Sequence, residues 1–408
     1  MIKNIVITGG WGYGNLGDDA IMIATIKLLD SIYPGARLTV LTYNIAESEE
    51  AFPHSETLTY VESLDRKLFG DYHQQISIEV SKVIEFKNSI KKRLGKFNNN
   101  RRIHRLSKQL LNNIESFIFI HSRVIEDYKK IIEGCDLFII SGGGYIADWI
   151  QSVASKYLEL YLAKQQNCKC VICGITFGPF KNKDIYGLAA KMINMADGIF
   201  VRDKESFNDV QLVKNENVYL YPEVVPDIAL SDIQQKLSKK AQLVFIPFNR
   251  KVEVNANIIC NDIIRLSNEY DLKVIISVSQ QWYYPIHIAC KLYCLLRNKN
   301  CDVEMIVPTN VHHLQKLLSE SELTISQNLH GLIMSYRAGT DIICLNNTRK
   351  FSSFMEEVQL GDYILLPKTI KSNGLFNMYS KLRREQVCCS NKEYSVAIKA
   401  ALQKLLNL

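Results

Sequence analysis

Short β-branched or apolar runs recur along the chain, each followed by a longer segment whose apolar residues repeat at helical spacing. This alternation is the pattern of parallel α/β units. Strands are predicted at Asn4–Thr8, Arg37–Thr42, Leu137–Ser141, Lys169–Gly174, Gly198–Val201 and Val218–Tyr221, with helices such as Asp19–Ser31, Val153–Gln165 and Ile185–Met195 between them. The stretch from Tyr221 to Asp232 holds two prolines and continues as a polar run to Lys240, which reads as a linker. Beyond it a second series begins, with strands at Leu243–Pro247, Lys273–Val278, Val303–Val307, Leu323–Ser326 and Ile342–Leu345 and helices such as Asn257–Asn268 and Ile286–Arg297. The expected fold is α/β, two Rossmann-like halves (1–230 and 241–408) facing a cleft, with a ligand at the carboxyl ends of the strands. The last predicted helix, Glu393–Leu406, is long enough to pack back on the first half.

A length of 408 residues gives each half room for its own core, and 47% hydrophobic with 22% charged residues excludes a disordered or low-complexity chain. Nowhere do 18 apolar residues run together, and the opening MIKNIVITGG is too short for a signal peptide. A cytoplasmic protein, at most peripheral to a membrane, is expected. Eleven scattered cysteines fit a reducing compartment. Cys170 and Cys173 form a CxxC preceded by Cys168, but on a strand positions three apart face opposite sides, and no second CxxC accompanies them. They are predicted to be core, as Cys290, Cys294, Cys388 and Cys389 are predicted to be inert, and no metal is expected.

One segment breaks the alternation. From about Ile76 to Ser122 there is no strand signal, and the chain reads as a helical insertion in the first half, two helices joined near Asn98–Asn100. Between Glu85 and Glu115 it carries nine Lys or Arg, from Lys87 to Lys108, and no acid; against a net charge of +7, the rest of the chain is slightly acidic. Two readings stay open: a solvated hairpin, or peripheral contact with an anionic membrane or a lipid-pyrophosphate substrate. The interleaved aromatics are essentially Phe86 and Phe97, so nucleic acid is not an expected partner.

Four strand ends carry chemistry. The first runs into GYGNLGDDAI, whose Gly12, Gly14 and Gly17 satisfy GxGxxG by spacing. A dinucleotide there needs an acid at the end of the second strand, where Asn44 stands, and no like charge at the helix start, where Asp18 and Asp19 stand. The glycines instead suit a tight turn with Asp18 or Asp19 capping the helix, and Asn15 with Asp18 suits sugar hydroxyls. The third predicted strand runs into Ser141-Gly142-Gly143-Gly144, a second glycine loop that lets a ligand approach backbone closely. Arg202 follows the fifth, either paired with a neighbouring carboxylate or kept for an anion. In the second half, SQNLHGLI places Asn328 where an N-cap is wanted and His330 in the first turn of a helix, beside an amino terminus that favours anions.

Together GYGNLGDDAI, the SGGG loop, GITFGPF, VRDKES, PDIA and SQNLHGLI, in this order from residue 12 to residue 333, resemble the polysaccharide pyruvyl transferases. The resemblance implies two Rossmann-like halves arranged as in GT-B glycosyltransferases, the first on the acceptor side and the second on the donor side. It implies transfer of pyruvate from phosphoenolpyruvate to two hydroxyls of a carbohydrate acceptor, free or lipid-linked, forming a cyclic ketal in surface, capsular or exopolysaccharide biosynthesis without a cofactor. His330 matches the family's motif histidine, the candidate acid/base, and Arg202 the arginine that clamps the donor. Asn15, Asp18 and the Gly142–Gly144 loop fall on the acceptor side. The chain departs from the family's Ser-x-Arg-Leu-His pattern: Asn328 stands where the family has a donor-binding arginine, Arg250, Arg337, Arg349 and Lys350 are the candidates to replace the missing cation, and whether any of them does stays open. A GT-B glycosyltransferase using a nucleotide sugar, or a non-catalytic sugar-binding relative, remains the alternative.

Overall fold

A computed structural model describes residues 2–42, 61–64, 128–214, 216–220 and 239–385, with the single positions 400 and 403. Two parallel sheets organise them. The first holds β1 (Asn4–Thr8), β2 (Arg37–Leu41), β3 (Val61–Leu64), β4 (Leu137–Ile146), β5 (Lys169–Phe177), β6 (Gly198–Val201) and β7 (Val218–Leu220) in the order β3-β2-β1-β4-β5-β6-β7. The second holds β8 (Lys240–Ile246), β9 (Lys273–Ser277), β10 (Val303–Ile306), β11 (Ser321–Ser326) and β12 (Asp341–Cys344) in the order β10-β9-β8-β11-β12. Both orders reverse beside the first strand of the sheet, between β1 and β4 and between β8 and β11, which opens a crevice at the carboxyl ends.

The strands read as unbroken apolar runs because helices cover both faces. On β5, Cys170 and Ile172 enter one core while Val171 and Cys173 enter the core on the opposite face, so the CxxC pair is split across the sheet. Burial pushes both the Cys170 and Cys173 thiols up to about 12. The covering helices of the first sheet are α1 (Leu16–Ile32), α2 (Ile150–Gln165), α3 (Lys183–Met195) and α4 (Lys204–Gln211). Those of the second are α5 (Ala256–Tyr270), α6 (Tyr283–Asn298), α7 (Val311–Ser319), α8 (Leu329–Arg337), α9 (Arg349–Glu357) and α10 (Gly374–Glu385).

Helix α1 differs from the others in being apolar nearly all round, the mark of a helix buried on every side. Met22, Ile26 and Leu29 pack on Ile5, Ile7 and Val40 of the first sheet. Leu16, Ala20, Ile23 and Ala24 pack on Val244, Ile246 and Ile275 of the second sheet and on Leu314 and Leu318 of α7. The two halves therefore share a core, with α1 as its common wall.

Three expectations are corrected. The run at Gly142–Gly144 is not a loop but part of β4, which continues pairing with β5 through Gly143↔Ile175 and Ile146↔Phe177 across a register shift. Gly142 (φ 65°) and Gly143 (φ 95°) adopt the left-handed backbone that such a bulge needs. Helix α1 begins at Leu16 rather than Asp19 because Asn15 is its cap, not Asp18 or Asp19. Strand β3, VESL, was not expected: it is four residues long and half polar, too weak a pattern to register alone. The linker at 221–238, the insertion at about 76–122 and the predicted helix at Glu393–Leu406, apart from positions 400 and 403, lie outside the described residues. No described helix is long and apolar enough to cross a membrane.

Candidate active site

The loop after β1 is held from both ends. Asn15 accepts from Gly17 N (3.3 Å) as the cap of α1, and Asp19 Oδ1 accepts from Gly12 N (2.8 Å), closing the turn over the helix start. Asp18 Oδ2 accepts from Asn15 Nδ2 (2.6 Å) and from the Tyr13 hydroxyl (2.5 Å). Asp18 is 4% exposed, and burial raises its carboxyl above the ordinary range although His330, the Tyr13 hydrogen bond, Arg202 and Lys350 all pull it down. Three basic side chains, one just after β6 and one each on α8 and α9, are thus within electrostatic reach of one buried carboxylate.

His330 belongs to the other half and arrives at that carboxylate through a close approach. A Cβ on Gly17 would stand 1.9 Å from His330 Nδ1, so only a residue without a side chain lets the imidazole lie against the first turn of α1. The ring is carried by the first turn of α8, whose cap is Asn328: its side chain accepts from Gly331 N (3.0 Å). Ser326 Oγ accepts from Asn328 N (2.9 Å) and donates to Asn328 O (2.9 Å), fixing the same turn. Gln327 Oε1 accepts from Phe248 N (2.9 Å) and Asn249 N (3.2 Å), tying it to the end of β8. Asn328 is therefore a buried backbone cap in this chain and brings no charge to the site.

Arg202 follows β6 directly, 7% exposed, with Nε donating to Thr176 Oγ1 (2.6 Å). A Cβ on Gly144 would lie 3.8 Å from its guanidinium nitrogen, so Gly144, exposed, flanks the arginine. Gly142 and Gly143 instead face Ile21 and Tyr145, whose hydroxyl accepts from Gly10 N (2.9 Å). The next residue, Asp203, caps α4 by accepting from Ser206 N (2.8 Å). It also receives Arg349 from the other half: Arg349 reaches Asp209 at 3.0 Å, Asp203 at 3.6 Å and Glu205 at 3.9 Å. Arg349 is thus engaged in a bridge between halves. That bridge ties the first turn of α9 to the start of α4; Lys350, the next residue, is exposed, with its ammonium 5.6 Å from the Phe351 ring centroid. Arg250 lies over the Tyr284 ring at 5.2 Å, and Arg337 sits at the far end of α8, roughly 10 Å along the helix axis from His330.

The halves are also joined by backbone beside the site. Gln281 N donates to Gly14 O (2.7 Å), Leu16 N to Ser279 O (3.0 Å), and Asn15 pairs with Gln280 in an antiparallel bridge. Trp282 Nε1 donates to Tyr13 O (2.9 Å), and the two rings stack at 5.6 Å.

The family model for polysaccharide pyruvyl transferase matches residues 15–349, spanning Asn15, Asp18, Arg202 and His330. The chain belongs to this family. Membership makes the protein a transferase. No curated protein matches the chain in sequence. Among solved structures it is similar to the S. aureus MnaA–UDP co-structure (TM-score 0.61, 13% identity, 100% of this chain and 98% of that one). It is also similar to UDP-GlcNAc 2-epimerase from Neisseria meningitidis bound to UDP-GlcNAc (0.58, 13%, 99% and 100%). UDP-GlcNAc 2-epimerase from Methanocaldococcus jannaschii follows (0.58, 11%, 93% and 92%). At these identities the likeness establishes the fold of this pyruvyl transferase relative, two Rossmann-like halves in a GT-B-like arrangement.

Several residues at the site were not singled out from sequence. Lys156 and Glu159, 2% and 1% exposed, form a buried pair (2.9 Å) under the end of β1, where Lys156 Nζ also donates to Thr8 Oγ1 (2.7 Å) and reaches Gly9 O (3.4 Å). Burial lowers the Lys156 ammonium below its usual value despite Glu159. Spaced three apart on a helix they read as an ordinary surface pair, and only the tertiary setting separates them from one. Tyr13, Gln280 and Trp282 were missed for the same reason: their meeting joins segments some 270 residues apart.

Proposed function

We propose that the protein transfers pyruvate from phosphoenolpyruvate to two hydroxyls of a sugar, forming a cyclic ketal during surface or exopolysaccharide biosynthesis. The observation that carries this reading is the close approach of His330, from one half, to Gly17 on the other, which brings it, with Arg202 and Lys350, within electrostatic reach of the Asp18 carboxylate. In this mechanism His330 gives a proton to the methylene carbon of the enol, and C2 becomes electrophilic. One sugar hydroxyl adds to C2 and returns a proton to His330, phosphate leaves with its bridging oxygen, and the second hydroxyl closes the ring as its proton passes to the departing phosphate. Arg202 holds the donor's anionic groups as charge moves onto the departing phosphate. Lys350 takes the part of the family arginine that Asn328 replaces, since Arg349 is engaged with Asp203, Glu205 and Asp209 and Arg337 lies at the far end of α8. Asn15 and Asp18 receive the acceptor hydroxyls.

Incubation with phosphoenolpyruvate and synthetic or lipid-linked galactosides is expected to release inorganic phosphate and to give a product heavier than its acceptor by pyruvate less water. Absence of both overturns the reading. The solved neighbours are bound to UDP and to UDP-GlcNAc, so UDP belongs in the same experiment. Thermal stabilisation by UDP with no response to phosphoenolpyruvate would instead identify a nucleotide-sugar enzyme.

A further inference from the structure

We infer that the seam between the two halves is a sugar subsite, in which a pyranose ring lies on the exposed surface of Trp282 while its hydroxyls reach Gln280 and Asp18. This rests on the acceptor reading above and adds recognition residues from the half assigned to the donor.

Trp282 is 39% exposed although one face stacks on Tyr13 at 5.6 Å and 25° and its Nε1 donates to Tyr13 O. The indole is therefore fixed in place while part of its surface stays exposed, and a ligand that stacks there meets a preorganised surface. Tyr13 connects the aromatic pair to the polar site, because its hydroxyl donates to Asp18 Oδ2 (2.5 Å).

Gln280 gives the second, independent observation. It forms an antiparallel bridge with Asn15, and residues directly opposed in such a pair project their side chains to the same face. Its side chain therefore stands beside that of Asn15, which donates to Asp18 (2.6 Å). Gln280 is 7% exposed, and its Oε1 has no hydrogen-bond partner among the described residues. A buried amide oxygen without a donor is a costly arrangement unless a ligand or solvent hydroxyl completes it. Gln280 and Trp282 thus meet the same short segment, Gln280 at Asn15 and Trp282 at Tyr13, while the Gln281 amide between them donates to Pro308 O (2.7 Å). An aromatic face edged by an amide oxygen and a carboxylate matches a pyranose, whose C–H face is apolar and whose rim is hydroxyl.

The test titrates the full chain with methyl glycosides of galactose, glucose and mannose, following tryptophan fluorescence and thermal stabilisation. The chain has three tryptophans, of which Trp11 is buried and Trp149 lies exposed at the start of α2. At least one glycoside is expected to give a saturable signal that persists in Trp149→Phe. Its affinity is expected to weaken about tenfold in Trp282→Ala and in Gln280→Leu and less in Trp282→Phe, with phosphoenolpyruvate binding unchanged in all three. Wild-type affinity in Trp282→Ala and Gln280→Leu, or no glycoside binding to the wild type, overturns the subsite. Glycoside binding through Trp282 with no ketal formed would leave the subsite standing and defeat pyruvyl transfer. Ketal formation with an acceptor KM indifferent to both substitutions would do the reverse.

Discussion

The two sheets repeat one strand order outward from their first strands, yet their carboxyl ends are chemically unlike. The first sheet's end is built from buried charge: Asp18, Asp19, Arg202 and the Lys156–Glu159 pair. The second is built from neutral amides and hydroxyls, Ser326, Gln327, Asn328 and Asn346, with His330 and Lys350 reaching out from helix amino termini. Topology supplies the crevice in both, but not the division of labour within it. Fixed charges on one wall and hydrogen-bonding helix caps on the other put groups suited to charge stabilisation and groups suited to proton transfer on different halves, and the chemistry needs them joined.

The largest effect that would sharpen this contrast is loss of His330. His330→Ala is expected to lower phosphate release by roughly 10²–10⁴-fold with thermal stability kept, and retained turnover would move the acid/base to the charged wall. Next comes the contact that joins the walls. Gly17→Ala drives a methyl group into the imidazole, and a displaced ring should lower kcat by about 10²-fold while leaving phosphoenolpyruvate affinity near wild type. Third is the cation on the neutral wall. Lys350→Ala should raise the phosphoenolpyruvate KM tenfold or more, since charge-assisted bonds contribute roughly 1.5–3 kcal/mol each. Adding Asn328→Arg should restore it, at a stability cost of about 1 kcal/mol for the lost cap, and no rescue would show that the two positions do not serve the same anion.

The smallest effect concerns Asp18. Its carboxyl is raised, so between the ordinary carboxylate range and that raised value the folded protein holds a proton that the unfolded chain has released, and stability falls as pH rises through this window. Asp18→Asn removes the buried charge. Its melting temperature should exceed wild type by roughly 2–4 °C at pH 8, with the gain shrinking toward zero as pH falls and the wild-type carboxyl protonates. A gain that does not change with pH would show that burial of the charge is not what raises the carboxyl.

The alternation of strand and helix was legible because buried parallel strands carry apolar residues on both faces, so even Cys170 and Cys173 could be placed on opposite sides. The glycine-rich segments stood out in the sequence, but their shapes did not: that Gly142 and Gly143 lie inside β4 depends on its continued pairing with β5, which no local pattern encodes. Arg349 shows the same limit at the site. Its charge was visible, but Asp209, which engages it, lies 140 residues upstream. Asn328 was read correctly as a cap position, and the structure adds that the cap hydrogen bond occupies the side chain that stands where the family has its arginine.

The bonds from Gly14, Asn15 and Leu16 to Ser279–Gln281 have a mechanical consequence. They grip the segment that caps α1 from the stretch after β9, so the start of one helix is held by both halves at once. Because α1 also shares its core with the second sheet and α7, pulling the halves apart would break backbone hydrogen bonds and apolar contact together.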